Sequence, residues 1–353
     1  MTNSRLEATN ESAVFGAVVT TIQAPTECLT RLAERMREER GRLVVVGDTK
    51  TPPGFQLEGV AFLSIEAQFQ SGSRFALELP RGHYARKNLG YLDVIRAGAA
   101  VVYETDDDNA PLPGWGVRQE ETNTSTCRGD GWVNAYRHFT AEAIWPRGLP
   151  LDAVLSKDGE SVTSDEVLAR VRAPIQQGLA NGEPDVDAVW RLTMQREVTF
   201  NEAPSLLLPP GAWCPFNSQS TWWFPVAYPL LYLPSFCSFR MTDIWRSFVA
   251  QRCLWELGIG VVFHGPEVVQ ERNVHNLMRD FEQEVPGYLG NRRMAKVLAE
   301  TSLRSGEDQV GPNLIRCYEA LVGAGFFQEK EAALVDLWLE EFRGAAGPRK
   351  AEA

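Results

Sequence analysis

The sequence predicts an α/β fold: a parallel-rich, Rossmann-like nucleotide-binding sheet with a C-terminal helical segment. Three observations predict it. Short, wholly apolar runs alternate with helical stretches through the first third of the chain, and strands of that kind are buried on both faces, as in parallel sheets. Two polar clusters, Asp48-Thr49-Lys50 and Asp106-Asp107-Asp108, follow directly on such runs, and in parallel sheets ligands collect at the carboxyl ends of the strands. The chain has 353 residues, of which 44% are apolar and 23% charged, enough for one large domain with a helical appendage.

In order, residues 1–12 read as a disordered N-terminus and Val14–Ile22 as a strand of β-branched residues. Pro25 and Thr26 open a helix that places Cys28, Leu29, Leu32, Ala33 and Met36 on one face, and Gly41 ends it. Leu43–Val46 and Val60–Ile65 are the next strands. His83–Arg96 is a helix closed by Gly98, and Ala99–Tyr103 is a fourth strand running into the acidic triplet. Residues 109–150 are irregular. Val186–Leu192 reads as a strand, residues 204–241 carry Pro and Trp with little periodicity, and Asp243–Leu257 is a helix with Ile244, Phe248, Leu254 and Leu257 inward. Gly260–Phe263 is a strand, and from about residue 275 the chain turns helical. The expected domains are 13–285 and a helical segment 286–343, followed by a disordered tail, 344–353.

The net charge of −11 removes any general attraction for nucleic acid or anionic lipid, both of which need Lys/Arg surfaces. An anionic ligand must therefore be bound by a site. The six cysteines form no CxxC pair, which argues against zinc and for buried thiols in a reducing compartment. The N-terminus is polar and no run of 18 uncharged apolar residues occurs. The expectation is a soluble, cytoplasmic protein without a membrane span.

Three adjacent carboxylates repel one another and call for a counter-ion. At the end of a buried strand they suit a hard divalent cation, Mg²⁺ or Mn²⁺, held by one or two carboxylates and by phosphate oxygens, so that it bridges a diphosphate. Asp106 and Asp108 are the expected ligands and Asp107 is placed near ribose or sugar; the alternative is a solvated acidic turn. Arg81–Asn88, at a helix start, is an anion-binding segment in which Arg86 and Lys87 meet the nucleotide diphosphate. Asp48 is expected on base or ribose and Lys50 on phosphate; no GxGxxG or P-loop pattern accompanies them. Asp243 is read either as a helix cap or as an acceptor-side carboxylate that grips or deprotonates a hydroxyl. His264, after an apolar strand, or His275 completes the metal shell or is a plain hydrogen-bonded residue. Trp213, Phe216, Trp222, Trp223 and Phe224 either stack on a sugar or belong to the core.

The motifs VVVGDTKTP, RKNLGYLDVIRAGAAVVYETDDDN, WPRGLPL, DVDAVWRLT, PFNSQSTWW and TDIWRSFVAQRCLWELGIGVVF occur in that order across roughly residues 42–285. Together they resemble the STELLO family of glycosyltransferase-like proteins, whose plant members are Golgi membrane proteins; the resemblance is to their soluble part. A weaker similarity runs to the reversibly glycosylated polypeptides, the UDP-arabinopyranose mutases, whose self-glycosylated arginine lies in the segment that holds Arg147 here. The resemblance implies a GT-A fold, a nucleotide-sugar donor (a UDP-sugar favoured), a divalent metal and Arg147 on the donor. The expected function is sugar transfer from a nucleotide-sugar to an unknown acceptor, whether glycan, small molecule or protein. A nucleotide-sugar mutase and a non-catalytic nucleotide-sugar-binding scaffold are the alternatives, the latter using the Trp222 region as its interface.

Overall fold

In the computed structural model, which describes residues 14–154, 162, 164–165, 167–194, 196–271 and 276–346, β1 (Val14–Thr21) lies between β2 (Arg42–Gly47) and β4 (Ala99–Thr105). It is parallel to both, and β3 (Val60–Leu63) extends the parallel set beyond β2. Alternate residues along these strands serve opposite faces, as the two-residue pleat requires. Phe15, Ala17, Val19, Leu43 and Val45 join one core with Leu29, Leu32 and Met36 of the helix Glu27–Glu38. Val18, Val44 and Val46 join the other core with Tyr91, Leu92 and Val94 of the helix Lys87–Arg96. Gly90 sets the approach on that second face: a Cβ there would lie 2.4 Å from Val18 Cγ1 and 2.8 Å from Val46 Cγ2.

Beyond β4 the sheet becomes mixed. β12 (Ser220–Trp223) runs antiparallel between β4 and β9 (Ile175–Gly182), and β13 (Val261–Gln270) is parallel to β9. β10 (Leu206–Leu208), β6 (Glu121–Thr126) and β8 (Ala169–Arg172) follow outward, and β5 (Asn109–Pro111) pairs with β13. A small ribbon joins β7 (Gly131–Trp132) and β11 (Ala212–Trp213). Residues 109–150 and 204–241, expected to be irregular, thus supply six of these strands. The parallel-rich expectation holds for β1 to β4 and gives way where β12 inserts.

The helix Thr242–Trp255 is buried through Leu254 and joins the same core as the helices Leu277–Glu300, Val310–Gly323 and Glu329–Ala346. The boundary expected at residue 286 falls inside one continuous helix. The last helix runs through Ala346; residues 1–12 and the rest of the expected tail lie outside the described residues. The strand expected at Val186–Leu192 is instead the helix Ala188–Met194. Asp187 explains the difference, because its Oδ1 accepts the Trp190 backbone N–H at 2.8 Å, a helix cap that outweighs the local apolar run. Among the described residues no helix is long and apolar enough to cross a membrane.

Candidate active site

A cavity of about 780 Å³ opens where β1, β2 and β4 end. One side is formed by Thr20–Gln23 leaving β1, Gly47–Lys50 leaving β2, Gly82–Tyr84 and the triplet Asp106–Asp108 leaving β4. Because β12 is antiparallel, its entry residues Asn217–Gln219 reach the same edge, as does Gln270 at the end of β13. The facing wall carries Arg147, Asp185, Arg240, Asp243, Arg279 and Asp280.

The three triplet side chains diverge. Asp106 Oδ1 accepts from the Tyr84 hydroxyl at 2.6 Å and pairs with Lys87 Nζ at 3.3 Å. Asp107 Oδ2 accepts from Thr21 Oγ1, and its carbonyl accepts from Thr26 Oγ1, the residue that caps the first helix. Asp108 Oδ2 accepts from Gln270 Nε2 at 3.0 Å, and Gln270 Oε1 in turn accepts from Gln219 Nε2. Burial, then repulsion from Asp106, raises the Asp107 carboxyl above its ordinary range against the Thr21 bond. Among the described residues no group of three or more His, Cys, Asp or Glu side chains is set to hold a metal ion. The donor set is therefore no all-protein cage. It fits a hard cation that takes one or two carboxylates and fills its shell with phosphate and water.

Asp48 lines the cavity, but its oxygens accept the backbone N–H groups of Thr49, Gly82 and His83; it orders the turn that precedes the helix Lys87–Arg96. His83 lines the same side. Its Nδ1 accepts from the Ala85 N–H, which leaves the proton on Nε2, and burial lowers its pKa against the pull of Asp48. Lys50 is an exposed cation on the rim.

Two expected phosphate contacts are differently employed. The Arg86 guanidinium is spent on Gln68 Oε1 (2.6 Å) and on the carbonyls of Leu79 and Ala76 (2.9 and 3.2 Å). Lys87 is fully buried behind the triplet, bonded to the Thr105 carbonyl and to Tyr84. Its charge reaches the cavity through Asp106, as a fixed counter-ion.

Asp243 does line the cavity, and Arg147 is clamped onto it. The guanidinium meets Asp243 through two bonds of 3.0 and 2.9 Å and Asp185 through two of 2.8 Å, all buried. Burial works to raise the Asp243 pKa, yet Arg147, with Arg246 and Arg240, outweighs it and holds the carboxyl at about 2. Such a carboxylate is a poor proton acceptor. Its Oδ2 accepts the Ser218 N–H at 3.3 Å, with the Ser218 hydroxyl 3.2 Å away. The two acids raise the Arg147 pKa further against the cost of burial, so the arginine expected on the donor is a fixed cation held by Asp185 and Asp243.

His264 is not brought to the triplet. It sits within β13, where its Nδ1 accepts from Ser205 Oγ (2.6 Å) and its Nε2 donates to Gln176 Oε1 (2.9 Å). Burial, then the Arg118 charge, holds it neutral. His275 lies outside the described residues. Replacing His264 by alanine orphans the Ser205 hydroxyl and the Gln176 carbonyl oxygen, at an expected cost of about 1–3 kcal/mol in urea unfolding, with nucleotide affinity unchanged. Trp213, Phe216, Trp222, Trp223 and Phe224 are all core residues, between 0% and 6% exposed. Neither sugar stacking nor an interface at Trp222 follows from them. Sequence reading missed Asp185, Phe239, Arg240, Arg279 and Asp280; the one available signal was the Asp-Val-Asp run at 185–187.

An α/β sheet with an acidic triplet at a strand end and a buried Arg–Asp wall facing it defines a class, and residues 240–346 match the family model described as STELLO glycosyltransferases. Similarity to the STELLO-type family extends beyond that segment to most of the chain. The chain is 30% identical over 348 residues to "Probable glycosyltransferase STELLO1" of Arabidopsis thaliana, covering 92% of this chain and 44% of that protein. It is likewise 30% identical over 347 residues to "Probable glycosyltransferase STELLO2" of the same plant, with the same coverage. The chain thus spans less than half the length of the curated relatives it matches.

Proposed function

We propose that the chain is a metal-dependent glycosyltransferase domain that takes a nucleotide-sugar, a UDP-sugar favoured, and passes the sugar to an acceptor hydroxyl. The observation that carries this reading is the Asp106–Asp108 triplet on the lip of a 780 Å³ cavity at the carboxyl edge of parallel strands. The family's printed description supports it. In the reaction the bond from the anomeric carbon to the diphosphate oxygen breaks, a bond to the acceptor oxygen forms, and the hydroxyl proton is released.

Asp106 and Asp108 are the residues to hold Mn²⁺ or Mg²⁺, which when bound supplies the positive charge that stabilises the departing diphosphate. Lys87 fixes Asp106 from behind, and Gln270 fixes Asp108. Thr21 turns Asp107 toward the end of β1, where ribose or sugar hydroxyls reach it. Lys50 meets phosphate from the rim, and the neutral His83 offers its Nε2–H as a hydrogen-bond donor. Asp243 and Arg147 shape the acceptor side. A mutase that works through a glycosylated arginine is not favoured, because Arg147 is locked by two carboxylates.

Calorimetric titration with UDP, GDP, CDP and dTDP, each with Mn²⁺ and with EDTA, tests the reading. The expected result is binding of UDP in Mn²⁺ that disappears in EDTA. Binding of none of the four overturns it.

A further inference from the structure

Phe239 stands on the rim of the cavity with 47% of its surface exposed. Its ring meets the His83 and Tyr84 rings edge-on, at 6.0 and 6.1 Å between centroids. It is held in place: its one-turn 3-10 helix, Phe239–Met241, leads directly into the helix Thr242–Trp255, and Ser238 Oγ ties the turn to the Gln283 carbonyl of the neighbouring helix. The ring therefore offers a fixed flat apolar face beside Tyr84, which bonds Asp106.

The next residue supplies the second observation. Arg240 Nε donates to Glu284 Oε1 at 3.0 Å, but its Nη2 is shielded and makes no hydrogen bond; Asp185 Oδ1 lies 3.9 Å away. The guanidinium is thus held between Glu284 and Asp185 and fixes the turn that carries Phe239. The surrounding wall sets Arg147, Arg240 and Arg279 against Asp185, Asp243 and Asp280. Three cations face three anions, so the wall has no excess charge to attract an anionic acceptor. It is instead dense in both donors and acceptors.

A sugar ring answers this arrangement. Each hydroxyl both donates and accepts, and the C–H face of the ring suits an aromatic face. We propose that this wall, with Phe239 as its stacking platform, is an acceptor subsite for a neutral carbohydrate, an inference that rests on the glycosyltransferase reading above. A sugar seated on Phe239 lies beside the Tyr84–Asp106 pair, where the donor's diphosphate is placed. Its hydroxyl is thereby brought next to the bond that breaks.

The test is binding of the full chain to an immobilised panel of neutral di- to hexasaccharides, with sulfated and uronic-acid glycans and Ser/Thr peptides as further arms, with and without UDP and Mn²⁺. Neutral glycans are expected to bind. Phe239→Ala should lose about tenfold or more of that binding and Phe239→Trp should keep it, while UDP affinity measured on the same variants stays level. Preference for the charged glycans or the peptides, no glycan binding at all, or equal binding by Phe239→Ala overturns the subsite. Glycan binding that needs Phe239 in a chain that binds no nucleotide leaves the subsite standing and removes the donor reading.

Discussion

Replacing Asp108 by asparagine is expected to weaken Mn²⁺-dependent nucleotide binding by about two to three orders of magnitude, because Asp108 is one of the two carboxylates that would hold the proposed cation. Stability should not fall with it. Asparagine keeps the shape and an acceptor oxygen for Gln270, which bonds Asp108 at 3.0 Å, and it removes one of three adjacent negative charges. Asp106→Asn should weaken binding likewise, but it also leaves the buried Lys87 without its carboxylate partner, so this variant should lose stability as well. Calorimetry and urea unfolding on the same preparations separate the two effects. A variant that binds nucleotide as tightly as the wild type would falsify the triplet as the metal site. The pH dependence gives a further check. The folded Asp107 carboxyl is raised, chiefly by burial and then by Asp106, so without metal this group contributes most to stability below the ordinary carboxylate range. The protein loses that contribution as pH rises through the raised value. Mn²⁺ should cancel the loss in the wild type and fail to do so in Asp108→Asn.

The strands that place the triplet were legible because burial on both faces forces them to be short and wholly apolar, and because Asp48 and Asp106 follow where those runs stop. The helix Glu27–Glu38 was legible from its one apolar face and its Thr26 cap. Of the facing wall only Arg147 and Asp243 were named, since Asp185, Arg240 and Arg279 come from distant segments that meet only once β12 and β13 are in the sheet. No local pattern marks a residue whose role is set by such a meeting.

His264 shows how a boundary error moves a site. Gly265-Pro266 reads as a turn, which would put His264 at a strand end, where ligands collect. The structure absorbs the proline at a shift in register between β13 and β9 and carries the strand on to Gln270. Gln270 therefore occupies the end position, on Asp108, and His264 is left inside. The tryptophans were left open between sugar and core, and the core holds them: Trp222 and Trp223 are adjacent on β12 and point to opposite cores, an alternation hidden by the prolines around them. Phe239, one aromatic among many in that stretch, is distinguished only by the turn that exposes it.

Arg147→Met is expected to be the most destabilising single change in the cavity, by about 3–5 kcal/mol, because it strands two buried carboxylates. Asp185 and Asp243 are 7% and 9% exposed in their side chains, and each receives two bonds from this one guanidinium. The slope of stability against pH should also reverse. In the wild type the Asp243 pKa is depressed to about 2, so its contribution is complete above the unfolded carboxylate range of about 4. That contribution is lost as pH falls toward 2. Without Arg147, burial becomes the dominant influence and raises the carboxyl, so acid then stabilises the variant. Urea unfolding between these limits reads the sign directly; a slope unchanged from wild type would show that Arg246 and Arg240 suffice to hold Asp243 ionised. The triple variant Arg147→Met, Asp185→Asn, Asp243→Asn should recover much of the stability, since removing a whole buried ion cluster is often nearly neutral. It should not recover activity. Asp243 accepts the Ser218 backbone N–H, the Ser218 hydroxyl lies 2.7 Å from that of Tyr84, and Tyr84 donates to Asp106. This hydrogen-bonded path ties the wall around Asp243 to the acidic triplet, and a charged Asp243 is what orients it.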